Sequence, residues 1–100
     1  MEEGSYRQSR LCRLLGNPVA FAVVQRLAEN KQMSPGEIAR VVGRRVQRVS
    51  TVLAALRLAE VVRYESDGKR NRYRLKHPSE VRSVLSALSR FVKAASALRR

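Results

Sequence analysis

One hundred residues with 44% hydrophobic content suffice for one folded core and exclude a wholly disordered chain. Twenty-one Lys and Arg against eight Asp and Glu leave a formal charge of +13, and the pI of about 11.5 lies above the rough threshold of 9 that marks nucleic-acid-binding domains. A single His, a single Cys and five scattered Gly supply no Ser-His-Asp set and no phosphate-cradling loop, so enzymatic catalysis has no support.

Taken in chain order, a first helix is expected over residues 5–15, with Leu11, Leu14 and Leu15 on one face. Cys12 shares that apolar side and reads as a small core residue. Asn17 and Pro18 then have the N-cap and first-turn chemistry of a second helix, which runs to about Glu29 and buries Val23, Val24, Leu27 and Ala28. Asn30-Lys31-Gln32 forms a polar turn. A third helix starts at Ser34-Pro35, where Glu37 completes a capping box. Ile38, Val41 and Val42 are expected to face the core, and Gly43 suits the left-handed residue after a helix end. Arg44 to Leu58 form a fourth helix that buries Val49, Val52, Leu53 and Leu56.

Residues 61–66 and 71–75 read as two strands joined at Asp67-Gly68. Alternation puts Tyr64, Tyr73 and Leu75 on one side and Arg63, Arg72 and Arg74 on the other. A last helix begins at Pro78-Ser79-Glu80. Its apolar residues Val81, Val84, Leu88, Phe91, Ala95 and Leu98 alternate three and four apart, a heptad seam that asks for a partner. The fold class is therefore mainly α with a small β-hairpin wing, a winged helix-turn-helix of order α-α-α-α-β-β-α. It fills residues 1–100 as one domain, with the helix-turn-helix at 34–59, the wing at 61–75 and dimerisation helices at 5–15 and 78–98.

Charge concentrates in the middle of this layout. Residues 44–76 hold ten Lys and Arg against three acids, Glu60, Glu65 and Asp67. Seventeen of the basic residues are Arg, whose planar fork matches phosphate and guanine edges, although genome composition or a thermophilic source accounts for that bias equally well. On the fourth helix Gln47, Thr51 and Ala54 lie opposite the buried face, flanked by Arg48 and Ser50. Gln47, Arg48, Ser50 and Thr51 are the candidate base readers. Arg44 and Arg45 before the helix, and Lys69, Arg70 and Arg72 on the hairpin, are the candidate phosphate holders. The expected partners are double-stranded DNA and a second copy of the chain, paired through Leu11, Leu14, Leu15, Val81, Val84, Leu88, Phe91, Ala95 and Leu98. Neither cofactor nor metal is expected: Cys12 has no second thiol, and His77 has no ligand at metal-binding spacing. No apolar run approaches the roughly 18–20 residues of a membrane span, and the acidic Met1-Glu2-Glu3 opens no signal peptide, so a cytoplasmic protein acting on the nucleoid is expected.

Leu14-Leu15-Gly16-Asn17-Pro18-Val19, Met33 to Ala39, Gly43, Val49-Ser50, Leu53, Leu56-Arg57, Ala59, Val61-Val62 and Tyr73-Arg74-Leu75 together resemble the ArsR-type winged-helix repressors of prokaryotes. The resemblance covers about residues 11–76. It implies a homodimer joined through the first and last helices, with two recognition helices on operator DNA, acting in transcription regulation as a repressor. The chain departs from the metal-sensing members, which place cysteines where it has Ser34, Pro35 and Gly36, and His or acidic ligands on the last helix, where it has only Glu80. Thr51-Val52 replaces the common Arg-His pair, and Glu60 the usual Gly after the recognition helix. Two other functions fit the composition: a low-specificity architectural DNA binder, and a protein-interaction module on the same scaffold.

Overall fold

The computed structural model describes residues 2–97. It contains α1 (Glu3–Leu15), α2 (Pro18–Glu29), α3 (Pro35–Val42), α4 (Val46–Leu58), β1 (Val62–Ser66), β2 (Asn71–Leu75) and α5 (Pro78–Ala97). The order expected from the sequence is the order observed.

Local chemistry sets most boundaries. The Asn17 side chain accepts from the backbone N–H groups of Val19 (2.9 Å) and Ala20 (3.1 Å), so α2 starts with two of its orphan donors satisfied. Ser34 and Glu37 form the reciprocal box at the start of α3: Glu37 N–H donates to Ser34 Oγ at 3.2 Å, and Ser34 N–H donates to Glu37 Oε1 at 2.8 Å. The bond from Ser34 N–H, then the Ser34 hydroxyl, holds the Glu37 carboxyl below its ordinary range, with Arg72 and Arg70 adding to the effect. Gly43 ends α3 at φ 70°, a left-handed conformation that Gly adopts without strain. The fourth helix starts at Val46 instead of Arg44, because Gly43, Arg44 and Arg45 are used as the turn.

The end of α4 shows how a Gly can be replaced. Glu60 sits at φ 66° among otherwise right-handed or extended neighbours. Glu60 N–H donates to Arg57 O at 3.0 Å and Val61 N–H donates to Leu56 O at 2.9 Å, the paired bonds of a Schellman cap. Lys76 Nζ donates to Glu60 Oε1 at 2.7 Å and ties the cap to the end of β2.

The core joins α2, α3, α4 and the base of the hairpin. Ala20, Val23, Val24, Ile38, Val49, Leu53 and Leu56 are sealed from solvent, with Leu27 and Val62 nearly so. Small Ala39, 5% exposed, lets α3 and α4 approach closely. The hairpin pairs Val62 with Leu75, Arg63 with Arg74 and Tyr64 with Tyr73, so the Tyr and Arg residues do separate onto opposite faces. An added strand pairing was not anticipated. Met33 N–H donates to Tyr73 O at 3.0 Å and Tyr73 N–H donates to Met33 O at 2.8 Å, which fastens the outer edge of β2 to the α2–α3 connection.

Two apolar positions differ from expectation. Val41 is 45% exposed, because the short α3 turns only Ile38 and Ala39 fully inward and leaves Val42 partly covered. Cys12 is exposed, because α1 meets the core through Leu11, Leu14 and Leu15, and Cys12 lies off that contact.

Candidate nucleic-acid interface

The outward side of α4 carries Gln47, Arg48, Ser50 and Thr51, all exposed, with Arg44 and Arg45 exposed in the turn before it. Val49, Val52, Leu53 and Leu56 hold the opposite side in the core, so the helix cannot roll without breaking that packing. No side chain caps the start of α4, in contrast to α2 and α3.

The hairpin tip is organised by one carboxylate. Asp67 Oδ1 accepts from the backbone N–H groups of Arg70 (3.0 Å) and Lys69 (3.3 Å), and Asp67 N–H donates to Arg70 O at 3.1 Å. Gly68, at φ 92°, makes the turn possible. The bond from Arg70 N–H, then that from Lys69 N–H, lowers the Asp67 pKa. Asp67 thus spends its charge on the turn backbone, and the Lys69 and Arg70 side chains stay exposed.

Ion pairing sorts the rest of the basic segment. Arg74 meets Glu65 at 2.8 Å and Lys76 meets Glu60 at 2.7 Å. The first of these offsets the like-charge apposition of Arg63 and Arg74 across the ladder. Arg72, expected among the free phosphate holders, lies 3.9 Å from Glu37 and is partly covered, so its charge is partly met by α3. Arg57 stacks on the Tyr64 ring at 4.9 Å, and Tyr64 on Tyr73 at 5.4 Å, linking the last turn of α4 to the wing. Among the described residues, Arg44, Arg45, Arg48, Lys69 and Arg70 have no carboxylate within 4 Å. Residue type and position along the chain indicated the candidate set. Which cations the fold neutralises depended on contacts distant in sequence, with no signal in the local pattern.

The other predicted site lies on α1 and α5. Leu11, Leu14, Leu15 and Val81 are half-buried against the chain's own core. Leu85, which lies four residues after Val81 on the same side, joins them and was missed by a strict heptad reading. Arg82 donates through Nε (3.2 Å) and Nη2 (3.0 Å) to Ala28 O, which fixes the start of α5 on α2. Farther along, Val84 (44%), Leu88 (43%), Phe91 (75%) and Val92 (62%) are open to solvent, as is Ala95. Val92 extends the expected stripe, and Leu98 lies outside the described residues. Between α1 and α5 runs a cleft of about 540 Å³ whose apolar wall includes Leu11, Leu15, Val81 and Val84. Among the described residues no His, Cys, Asp and Glu side chains group in threes as a metal site would require, and no helix is long and apolar enough to cross a membrane.

A family model described as HVO_A0114 matches residues 17–81. No curated protein matches the sequence. Among solved structures, Rv0081 of Mycobacterium tuberculosis superposes with a TM-score of 0.87 at 23% identity, over 99% of this chain and 98% of that one. The transcriptional repressor BigR of Xylella fastidiosa gives 0.72 at 27% identity, over 87% and 88%. Mb0332 of Mycobacterium bovis, described as a homodimeric winged helix-turn-helix DNA-binding domain and a possible ArsR-family regulator, gives 0.75 at 21%, over 100% and 94%. The fold is a winged helix-turn-helix, as described for Mb0332.

Proposed function

The chain belongs to the HVO_A0114 family, and we propose that it is a sequence-specific double-stranded DNA-binding transcriptional regulator that works as a homodimer and represses its target. The observation that carries this reading is the distribution of unmet charge. The acids of the basic segment are consumed in ion pairs and in the Asp67 turn, while Arg44, Arg45, Arg48, Lys69 and Arg70 remain exposed around one helix and one hairpin tip. In this reading Gln47, Arg48, Ser50 and Thr51 read base edges in the major groove, and the surrounding cations hold phosphates. Arg72 adds to the phosphate field at short range from the Glu37 side of the wing.

The dimer follows from apolar area that one chain cannot cover. Pairing two copies through residues 5–15 and 78–98 buries Val84, Leu88, Phe91 and Ala95 and closes the cleft beside α1. The whole of residues 1–100 then acts as one DNA-binding unit per protomer, with its operator an inverted repeat whose half-site centres lie about 34 Å, or ~10 bp, apart or a multiple of that. The homodimeric state described for Mb0332 and the repressor role described for BigR support the reading by analogy. It needs no metal or cofactor, and it places the protein on the nucleoid in the cytoplasm.

The test is to select bound duplexes from fragmented genomic DNA and measure affinity against salt. With roughly 6–10 phosphate contacts per dimer, affinity is expected to fall on the order of 10³–10⁵-fold between about 50 and 200 mM salt. Binding with no salt dependence, or none to any fragment, rules the reading out. Equal affinity for selected and random duplexes establishes an architectural binder instead.

A further inference from the structure

We propose that α4 recognises thymine by its C5-methyl group, and that the Cγ2 methyl of Thr51, with Ala54 beside it, makes the contact. The inference rests on the DNA-binding reading and deepens it. Sequence alone marked Thr51 as a polar reader, since a hydroxyl can serve several base edges. The structure changes what Thr51 offers. Its Oγ1 donates to the Gln47 carbonyl one turn earlier, at 3.0 Å. A hydroxyl has one hydrogen to give, and this one is spent inside the helix. The oxygen is thereby drawn against the preceding turn, which leaves the methyl as the branch of Cβ turned away from that carbonyl.

Position decides what a methyl can do there. Residues 47, 51 and 54 follow at steps of four and three and share one face. All three are exposed, opposite Val49, Val52, Leu53 and Leu56. The centre of the outward face is therefore apolar, a Thr methyl and an Ala methyl, with polar groups around it: Gln47 before them and Ser50 and Arg48 on the flanks. Among the described residues neither the Gln47 amide nor the Ser50 hydroxyl is committed to an internal bond, so both remain available to base donors and acceptors. An apolar patch in the major groove has one complementary group, because the thymine C5-methyl is the apolar group that base edges present there. Opposite cytosine, guanine or adenine the same methyl would cover polar atoms without satisfying them, which disfavours those bases at this position.

The experiment uses duplexes that the full chain selects from a random pool. Each thymine is replaced in turn by deoxyuridine, which removes the C5-methyl and nothing else. Affinity is measured for wild type, Thr51→Val and Thr51→Ser. One thymine per half-site is expected to be sensitive, its replacement weakening wild type by about fourfold per half-site, the worth of one buried carbon group. Thr51→Val keeps the methyl and is expected to retain the deoxyuridine sensitivity of wild type. Thr51→Ser keeps the hydroxyl, and is expected to bind the thymine duplex about fourfold more weakly per half-site and to be indifferent to deoxyuridine. Uracil-insensitive binding by wild type overturns the proposal, as does loss of affinity in Thr51→Val with retention in Thr51→Ser. Both results leave DNA binding standing. If no duplex is selected at all, the underlying reading falls with it.

Discussion

The α4–hairpin face and the α1–α5 face are both unfinished, but in different ways. The first carries charge that no carboxylate meets among the described residues: Arg44, Arg45, Arg48, Lys69 and Arg70. The second carries apolar surface without cover: Val84, Leu88, Phe91 and Val92. Water solvates an exposed guanidinium well, so the first face costs the free chain little and gains only when a polyanion releases its counterions. Water does not solvate Phe91 well, and the second face favours burial at all times. The difference teaches an order of events. On the proposed reading, the apolar face sets assembly before DNA is present, and the charged face then acts twice, at a spacing that assembly has set.

The sharpest way to break this contrast is to make the second face resemble the first. Leu88→Glu with Phe91→Glu places acids on residues that the core does not use, so the helix-turn-helix is expected to stay folded and the proposed dimer to be lost. Operator affinity is then expected to fall on the order of 10²-fold or more, since each half-site binds without its linked neighbour. A monomeric wild type at micromolar concentration in sedimentation, or full operator affinity in the double variant, separates assembly from binding and ends the comparison.

Within the charged face, cations and base readers are expected to behave differently. Gln47→Ala should flatten discrimination at one position per half-site by about 1–3 kcal/mol, without changing the salt slope. Arg70→Ala should weaken all duplexes alike and lower that slope by about 1 for each phosphate left without its cation. Titration of both variants against matched and mismatched duplexes at several salt concentrations checks this, and interchangeable effects would mean that helix and wing do not divide the work.

Smaller effects come from the devices that hold the face in shape. Glu60 occupies a left-handed position, so Glu60→Gly should raise the melting temperature, on the order of 5 °C, even though the exposed pair with Lys76 is removed. An unchanged or lower melting temperature would show that the Lys76 pair outweighs the backbone strain. Acid should act on the same devices. Glu37, Glu60 and Asp67 all have lowered pKa values in the fold, so each contributes stability that is present above its unfolded value and lost as pH falls through its folded value. Thermal stability should therefore decline below about pH 4, where free carboxylates protonate. Glu37→Gln should make that decline shallower, because the capping-box carboxylate no longer titrates.

Local features of the chain were legible without tertiary structure. The Asn17 cap, the Ser34–Glu37 box, Gly43 and Asp67-Gly68 act within a few residues of themselves, so their spelling is enough to place α2, α3 and the hairpin. The buried positions of α4 were equally legible, because a period of three and four leaves one arrangement that covers Val49, Val52, Leu53 and Leu56. The candidate base readers followed as their complement. Tertiary structure decided which groups meet at a distance: that Met33 pairs with Tyr73, that Arg72 sits beside Glu37, and that Arg57 lies over Tyr64. It also decided how far each apolar stripe is covered, leaving Cys12 and Val41 outside while drawing Leu85 in. Periodicity reports that a helix has an apolar side. How much of that side is buried depends on the length and angle of the neighbouring elements, and those are set by packing between residues far apart in the chain.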